Sequence, residues 1–469
     1  MHDTVIAVVR GQLDLEQAVR SWSAGEWLGW DRTVRDIGRW HTQLLPSRRK
    51  LFGTQSGTGP GTVAGLGEVE RTAIALCHPN GRIRERALQR PTARTALLPL
   101  VAVRCADWAD PVRTCARHVL LEAMPACDAD ALTRLAAPVL RLGKRARGEF
   151  GAELLRKAVG HGSIGILLGS PDVRVRREAC RWALEERWLD ARESARTAVD
   201  DPDTVVQRLC ADAALRDVTE ATADDVLGAL LAARNPRARS AGVTALRRLG
   251  RAGLAPDFLT DRSALVRACA RYVVRQDGHD PHLYYQELCT GEDVTPGAVI
   301  GLAECERASD AGTLWRYAGH ERAAVRARAV AGLRLLDLAF AERLLPLIDD
   351  ESPGVVREAV TALLPSAAQL PEEWLMHRVA PGRAARTRRA AFRLLTQKGG
   401  LPQLRVAVSL LGDEDVRLRH WAEMSVQRWQ ADGGVPRGDA EVAALLDRSA
   451  HLFDDYVLRR RKWAAGIRA

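Results

Sequence analysis

Lysine is nearly missing from this chain of 469 residues: Lys50, Lys144, Lys157, Lys398 and Lys462 are the only five among 69 basic side chains. The net charge of +10 is therefore an arginine charge, and a compositional preference for Arg and Ala accounts for part of it before any polyanion is invoked. No apolar run approaches the roughly 18 residues of a membrane span, and no apolar core with a small-residue cleavage site follows Met1. A soluble, cytoplasmic protein is the expectation. The nine cysteines include no C-x-x-C pair, and Cys180, Cys210 and Cys269 fall on helical small-residue positions, so reduced packing thiols are expected. No H-x-x-x-H or H-E-x-x-H occurs, and the nearest approach to a metal cluster is His279-Asp280-Pro281-His282 in an expected turn. The nucleophile elbow G-x-S-x-G is absent as well. Gly57-Thr58-Gly59-Pro60-Gly61 lacks the Gly-Lys-Ser/Thr and the preceding strand of a phosphate loop. The carboxylate pairs Glu185-Glu186 and Glu372-Glu373 are adjacent, so on a helix they diverge and cannot share a proton. No catalytic residue, cofactor (none) or metal ligand is assigned.

What the chain does contain is repetition. Pro171-Asp172-Val173-Arg174-Val175-Arg176 leading to Ala179, Ala323-Ala324-Val325-Arg326 leading to Ala329, and Asp415-Val416-Arg417-Leu418-Arg419 leading to Ala422 share one pattern. An apolar residue precedes an Arg, and a small residue follows three positions later. Registered on the Arg, the copies fall at Arg84, Arg113, Arg147, Arg176, Gln207, Arg239, Arg267, Ala298, Arg326, Arg357, Arg386 and Arg419, in steps of 28 to 34 residues. Two short antiparallel helices with their turns need about 30 residues, and a fixed period in the range of about 20 to 50 marks a repeat array. The apolar offsets follow the helical period, and small residues at the third position would let neighbouring helices approach closely. Pro111, Pro171, Pro202, Pro236, Pro353 and Pro381 lie just upstream, beside Asp, Ser or Asn, as helix starts do.

With this D-P-x-V-R-x-x-A core, the copies resemble HEAT-like repeats of the PBS-lyase type over residues 70–430. Gln207, Ala298 and Arg147 depart from the pattern, the first two lacking Arg and the third followed by Phe150 instead of a small residue. The resemblance implies an all-α, right-handed α-solenoid or superhelix of about twelve helical-hairpin repeats. It also implies that the repeat Arg pairs with Asp of neighbouring turns. HEAT-like scaffolds bind a protein or peptide partner on an extended concave surface, and that is the leading functional expectation. The alternative is a nucleic-acid-binding HEAT-like protein related to alkylpurine DNA glycosylases, whose catalytic Trp and Asp cannot be matched residue by residue here.

Four segments are expected: an N-terminal helical, Trp-rich cap over 1–47, a Gly-rich basic linker over 48–67, the repeat array over 68–438, and a C-terminal helical cap over 439–469 with a basic end. Two groups of residues exceed what stacking requires. The interval 374–412 contains no Asp or Glu and offers Arg383, Arg386, Arg388, Arg389, Arg393 and Lys398, while the C-terminal helix offers Arg459, Arg460, Arg461 and Lys462, for an anion, a nucleic acid or an acidic partner. Trp22, Trp27, Trp30 and Trp40 are the candidate partner-binding aromatics, or else the hydrophobic lid that a terminal repeat needs. No small-molecule substrate and no membrane partner is expected.

Overall fold

The structure is a computed structural model that describes residues 1–41, 45–46, 51–52, 66–291, 293–431 and 434–467. Among these the regular secondary structure is helical and no strand occurs, so the protein is an all-α solenoid of helical hairpins. The chain divides into two compact units, Met1–Gly242 and Val243–Ala469.

In the first unit, hairpins are formed by Glu68–Leu76 with Gly81–Leu88, Leu98–Arg104 with Asp110–Ala123, Ala129–Leu142 with Glu149–Ala158, His161–Leu168 with Val173–Glu185, and Ala191–Asp200 with Thr204–Arg216. The helix Pro236–Arg248 spans the boundary between the units. In the second unit the second helices of successive hairpins are Ala264–Gln276, Pro296–Ala303, Ala323–Leu335, Pro353–Leu363, Ala385–Lys398 and Val416–Arg428. Ala440–Arg448 and Asp455–Ala464 follow. Second helices lie side by side, Pro296–Ala303 against Ala323–Leu335 and Ala323–Leu335 against Pro353–Leu363. The small residue three beyond the register position is buried at each contact, as at Ala87, Ala179, Cys210, Ala270, Ala329 and Ala422, all 0% exposed.

The repeat Arg has one wiring. Its guanidinium donates to the carbonyl six residues back, in the turn that follows the preceding helix, where a backbone carbonyl needs a partner from outside the helical ladder. Arg84 reaches His78 O at 2.8 Å, Arg113 reaches Asp107 O at 2.9 Å, and Arg176 reaches Ser170 O at 2.8 Å. Arg239 reaches Ala233 O at 2.6 Å, Arg267 reaches Asp261 O at 2.7 Å, Arg326 reaches His320 O at 2.9 Å, and Arg419 reaches Asp413 O at 2.7 Å. Gln207 keeps the bond without the charge, its Nε2 donating to Asp201 O at 2.8 Å. The free edge of the same guanidinium takes a carboxylate from the next hairpin: Arg84 takes Asp107, Arg176 takes Asp201, and Arg326 takes Asp350. Each of those Asp side chains also accepts from the N–H two residues on, at Ala109, Asp203 and Ser352, and so shapes its own turn. Arg and Asp thus form an internal ladder along each stack.

Three register positions are corrected. Arg147 lies in a turn at φ 70°, ahead of the helix Glu149–Ala158. Arg357 faces outward with its side chain 70% exposed, and the buried Val356 is the residue six beyond Asp350. Arg388, not Arg386, makes the rung in the helix Ala385–Lys398, pairing with Asp413.

The N-terminal helices belong to the first core. Ala24–Trp40 starts with a capping box on Ser23 and Glu26 and packs on Leu98–Arg104 and Ala129–Leu142. Leu15 N–H donates to Glu70 Oε1 at 3.0 Å, and Trp30 Nε1 approaches Ala73 O at 3.5 Å. Of the segment 48–67, only Leu51, Phe52, Leu66 and Gly67 are described: Leu51 is buried, and Phe52 lies beneath the guanidinium groups of Arg86 and Arg90. Arg48, Arg49, Lys50 and the glycine loop lie outside the described residues. Among the described residues no helix is long and apolar enough to cross a membrane.

Candidate functional site

The acid-free interval 374–412 meets its acids from outside. Arg388 is buried and forked on Asp413, with Nε on Val379 O at 2.8 Å. Arg389, one position along the helix, reaches Asp415 at 2.7 Å, as Arg177 reaches Asp203 at 2.7 Å in the first unit. These guanidinium groups hold Asp415 and Asp203 below the usual carboxylate range, Asp203 at about 2. Arg386 donates to Asp350 O at 2.8 Å, a carbonyl that its own hairpin cannot serve because Val356 is apolar. Lys398 caps three carbonyls at Ala367, Ala368 and Leu370. Arg378 pairs with Asp349 and lies over the Trp374 ring, and Arg405 is clamped between Glu372 and Glu441. Arg383 is exposed and contacts His377 Nδ1 at 3.1 Å; Arg393 is exposed with no ion-pair partner among the described residues. Stacking thus takes up most of the stripe, and Arg383 and Arg393 remain on the surface.

The tryptophans divide in the same manner. Trp27 and Trp30 are 0% exposed, and half-buried Trp22 meets them at ring distances of 4.9 and 5.4 Å. The indoles of Trp27 and Trp30 fill part of the first core and face no solvent. Trp40, at the end of that helix, is exposed.

The C-terminal cations fall on two faces of the helix Asp455–Ala464. Arg461 donates to Gln427 O and Trp429 O at the end of Val416–Arg428 and covers the Phe453 ring, while Lys462 pairs with Asp447. Arg459 and Arg460 face outward, between Tyr456 and Trp463.

The His279–His282 cluster is dispersed. His282 Nε2 meets buried Asp310 at 2.8 Å, Asp280 caps the His282 N–H and pairs with Arg307, and His279 lies beside Tyr284. Among the described residues no group of three His, Cys, Asp or Glu is arranged to hold a metal ion. Burial pushes the Cys105 thiol up to about 12 and the Cys289 and Cys305 thiols up to about 11, which disfavours the nucleophilic thiolate.

One surface feature was missed by reading the repeat alone. A groove of about 370 Å³ crosses the first turns of three successive second helices, lined by Pro296, Ala323, Ala324, Ala327, Ser352 and Gly354 and rimmed by Arg328, Arg357 and Glu358. Its floor is small because outward positions that carry Arg174 and Arg177 or Arg417 and His420 in other copies carry Ala324 and Ala327 here. That run of alanines was the available signal.

No protein-family model matches the chain, and neither does any curated protein. Among solved structures, the karyopherin Kap121p bound to the SUMO protease Ulp1p aligns with 83% of this chain and 49% of its own, at 12% identity and a TM-score of 0.32. Kap121p alone aligns at 13% identity and a TM-score of 0.31, and YibA of E. coli covers 61% of this chain and 98% of its own at 16% and 0.25. This chain thus spans about half the length of the karyopherin chains it matches. At such TM-scores, no residue role or partner carries over to this protein.

Proposed function

We propose that this protein is a non-catalytic, HEAT-like scaffold that holds a protein or peptide partner on the face made by the second helices of its hairpins. The supporting observation is the groove between Pro296 and Glu358: small, outward-facing residues on three neighbouring helices, with exposed Arg328, which has no ion-pair partner among the described residues, at the rim. An extended peptide fits such a site by seating a medium apolar side chain on the alanine floor and a neighbouring carboxylate on Arg328. Each hairpin adds area without rearranging the next, which lets a solenoid read a long segment. Nine cysteines without a disulfide among them suit a reducing, cytoplasmic setting.

The test is a peptide-display selection on the whole chain, followed by binding of the selected peptides to variants. Ala327→Trp fills the groove and should weaken the selected peptides at least tenfold, and Arg328→Glu should do so for those bearing an acid. Selected peptides that bind Ala327→Trp and Arg328→Glu as tightly as the parent protein would refute the assignment.

A further inference from the structure

We infer that the outer face of the C-terminal helix Asp455–Ala464 is a binding platform for single-stranded nucleic acid, a site separate from the peptide groove.

The helix is held from one side only. No side chain within it is fully buried, yet its inner face is fastened by Arg461 on the carbonyls of Gln427 and Trp429, by Lys462 on Asp447, and by the Gly438 N–H on Ala465 O at 2.9 Å. Asp454 caps its first turn through the Val457 N–H at 2.8 Å. Anchoring by side-chain bonds to backbone spares a helix the need to bury an apolar stripe, and so leaves its other face available.

That other face carries Tyr456, Arg459, Arg460 and Trp463 at i, i+3, i+4 and i+7, the spacing that places four side chains in one row. Tyr456 is 68% exposed and Trp463 is 78% exposed, the highest exposure among the exposed large hydrophobics described. Arg459 spends its Nε on Asp455 O at 3.2 Å, while Arg460 has no partner among the described residues. Arg437, exposed on the preceding loop, lies against Gly466 at the end of the same helix. Among the described residues the acids nearby include Asp454, used as the cap, Asp455, one residue before Tyr456, Asp447, paired with Lys462, and Asp439, which accepts the Val442 N–H at 3.0 Å.

Interleaving decides the ligand. An interfacial membrane helix separates its apolar and basic residues onto opposite faces, whereas here two guanidinium groups lie between two rings on one face. A folded protein partner needs about 800 Å² on each side, far more than four side chains supply. A strand that offers a flat base and a phosphate in alternation matches rings that stack and forks that grip oxyanions. The two rings stand about 10 Å apart along the helix axis, with the arginines between them. Arg460 also borders a cavity of about 380 Å³ lined by Trp429, Val457 and Ala464, where an unstacked base has room.

Fluorescence anisotropy of the whole chain with a labelled short oligothymidylate tests this directly. Binding at low salt is expected, with a log–log salt slope of about −1.4 for two phosphate contacts on a single strand. Tyr456→Ala and Trp463→Ala should each cost roughly tenfold. Arg459→Glu with Arg460→Glu should abolish binding, whereas Arg393→Glu should leave it intact. Because these side chains are exposed, an unchanged circular dichroism melt will separate lost contacts from lost fold. Absence of binding at low salt, equal affinity for a duplex, insensitivity to the two aromatic variants, or binding of an oligoglutamate peptide in place of the oligonucleotide would each overturn the proposal. Ala327→Trp should not alter it, which separates this site from the groove.

Discussion

Asp107→Ala should open the first repeats more than any surface substitution does. The Asp107 carboxylate is 0% exposed and accepts from Arg84 Nε at 3.0 Å and Nη2 at 2.8 Å, from Arg104 Nη1 at 3.1 Å, and from Arg35 Nη2 at 3.2 Å. It also accepts the Ala109 N–H at 3.0 Å. Arg104 and Arg35 keep Asp31 as a second partner, but Arg84, itself 0% exposed, is left with the carbonyls of His78 and Pro79 and the face of the Trp108 ring and loses its carboxylate. Truncating one partner of a buried ion pair costs about 3–5 kcal/mol, because the remaining charge is left desolvated without compensation. Asp107→Asn keeps an acceptor for Ala109 and one guanidinium and should lose less. Two compact units invalidate a single two-state unfolding fit, so the appropriate measurement is amide hydrogen exchange on peptides from Gly81–Leu88 and Asp110–Ala123. Exchange there should speed up by about two to three and a half decades in Asp107→Ala. Asp225→Ala, which breaks an exposed pair with Arg192, should change exchange by about twofold or less. Exchange in Asp107→Ala within threefold of the parent would refute the view that this carboxylate holds the end of the ladder.

Two further outcomes follow from the repeat geometry. Asp203 is held at about 2, below its ordinary 3.8, chiefly by the hydrogen bond from Arg177 and also by the N–H groups of Val206 and Val205. A carboxylate with a lowered folded value contributes stability that is fully present above 3.8 and is lost as pH falls towards 2. Asp203→Asn should therefore flatten the acid limb of the stability profile in that window, and an unchanged limb would contradict the pairing. Gly301→Ala places a methyl 2.2 Å from the Tyr285 ring, whose hydroxyl donates to Leu259 O, and should destabilise the second unit by about 1–3 kcal/mol in thermal unfolding. A melt equal to the parent's would show that the helices there do not approach as closely as described.

Much of the hairpin was legible in the sequence because its determinants are local. An Arg that must reach a carbonyl six residues back, a cap at the turn and a small residue one helical turn onward all fall within a dozen residues. The register slipped where a neighbouring Arg imitated the pattern. Ala359 and Ala391 supply the small third position for Val356 and Arg388, whereas Val360 and Arg389 fail it for Arg357 and Arg386. Applied strictly, the small-residue rule would have found both shifts. The groove floor at Ala323, Ala324 and Ala327 was visible only as a run of small residues, because nothing local says that a position faces outward.

The sequence by itself determined an all-α repeat architecture and named the Arg that recurs in it, since period, caps and steric size act over one or two helical turns. Only the tertiary structure decided which charges remain to meet another molecule. Arg388 finds Asp413, Arg389 finds Asp415 and Arg405 finds Glu372 and Glu441 across 25 to 36 positions of chain, so an interval without a single acid has part of its charge paired once the helices stack. Coulombic pairing depends on distance in space, which the order of residues along the chain does not supply. The same stacking buried Trp27 and Trp30 and turned Tyr456, Arg459, Arg460 and Trp463 outward.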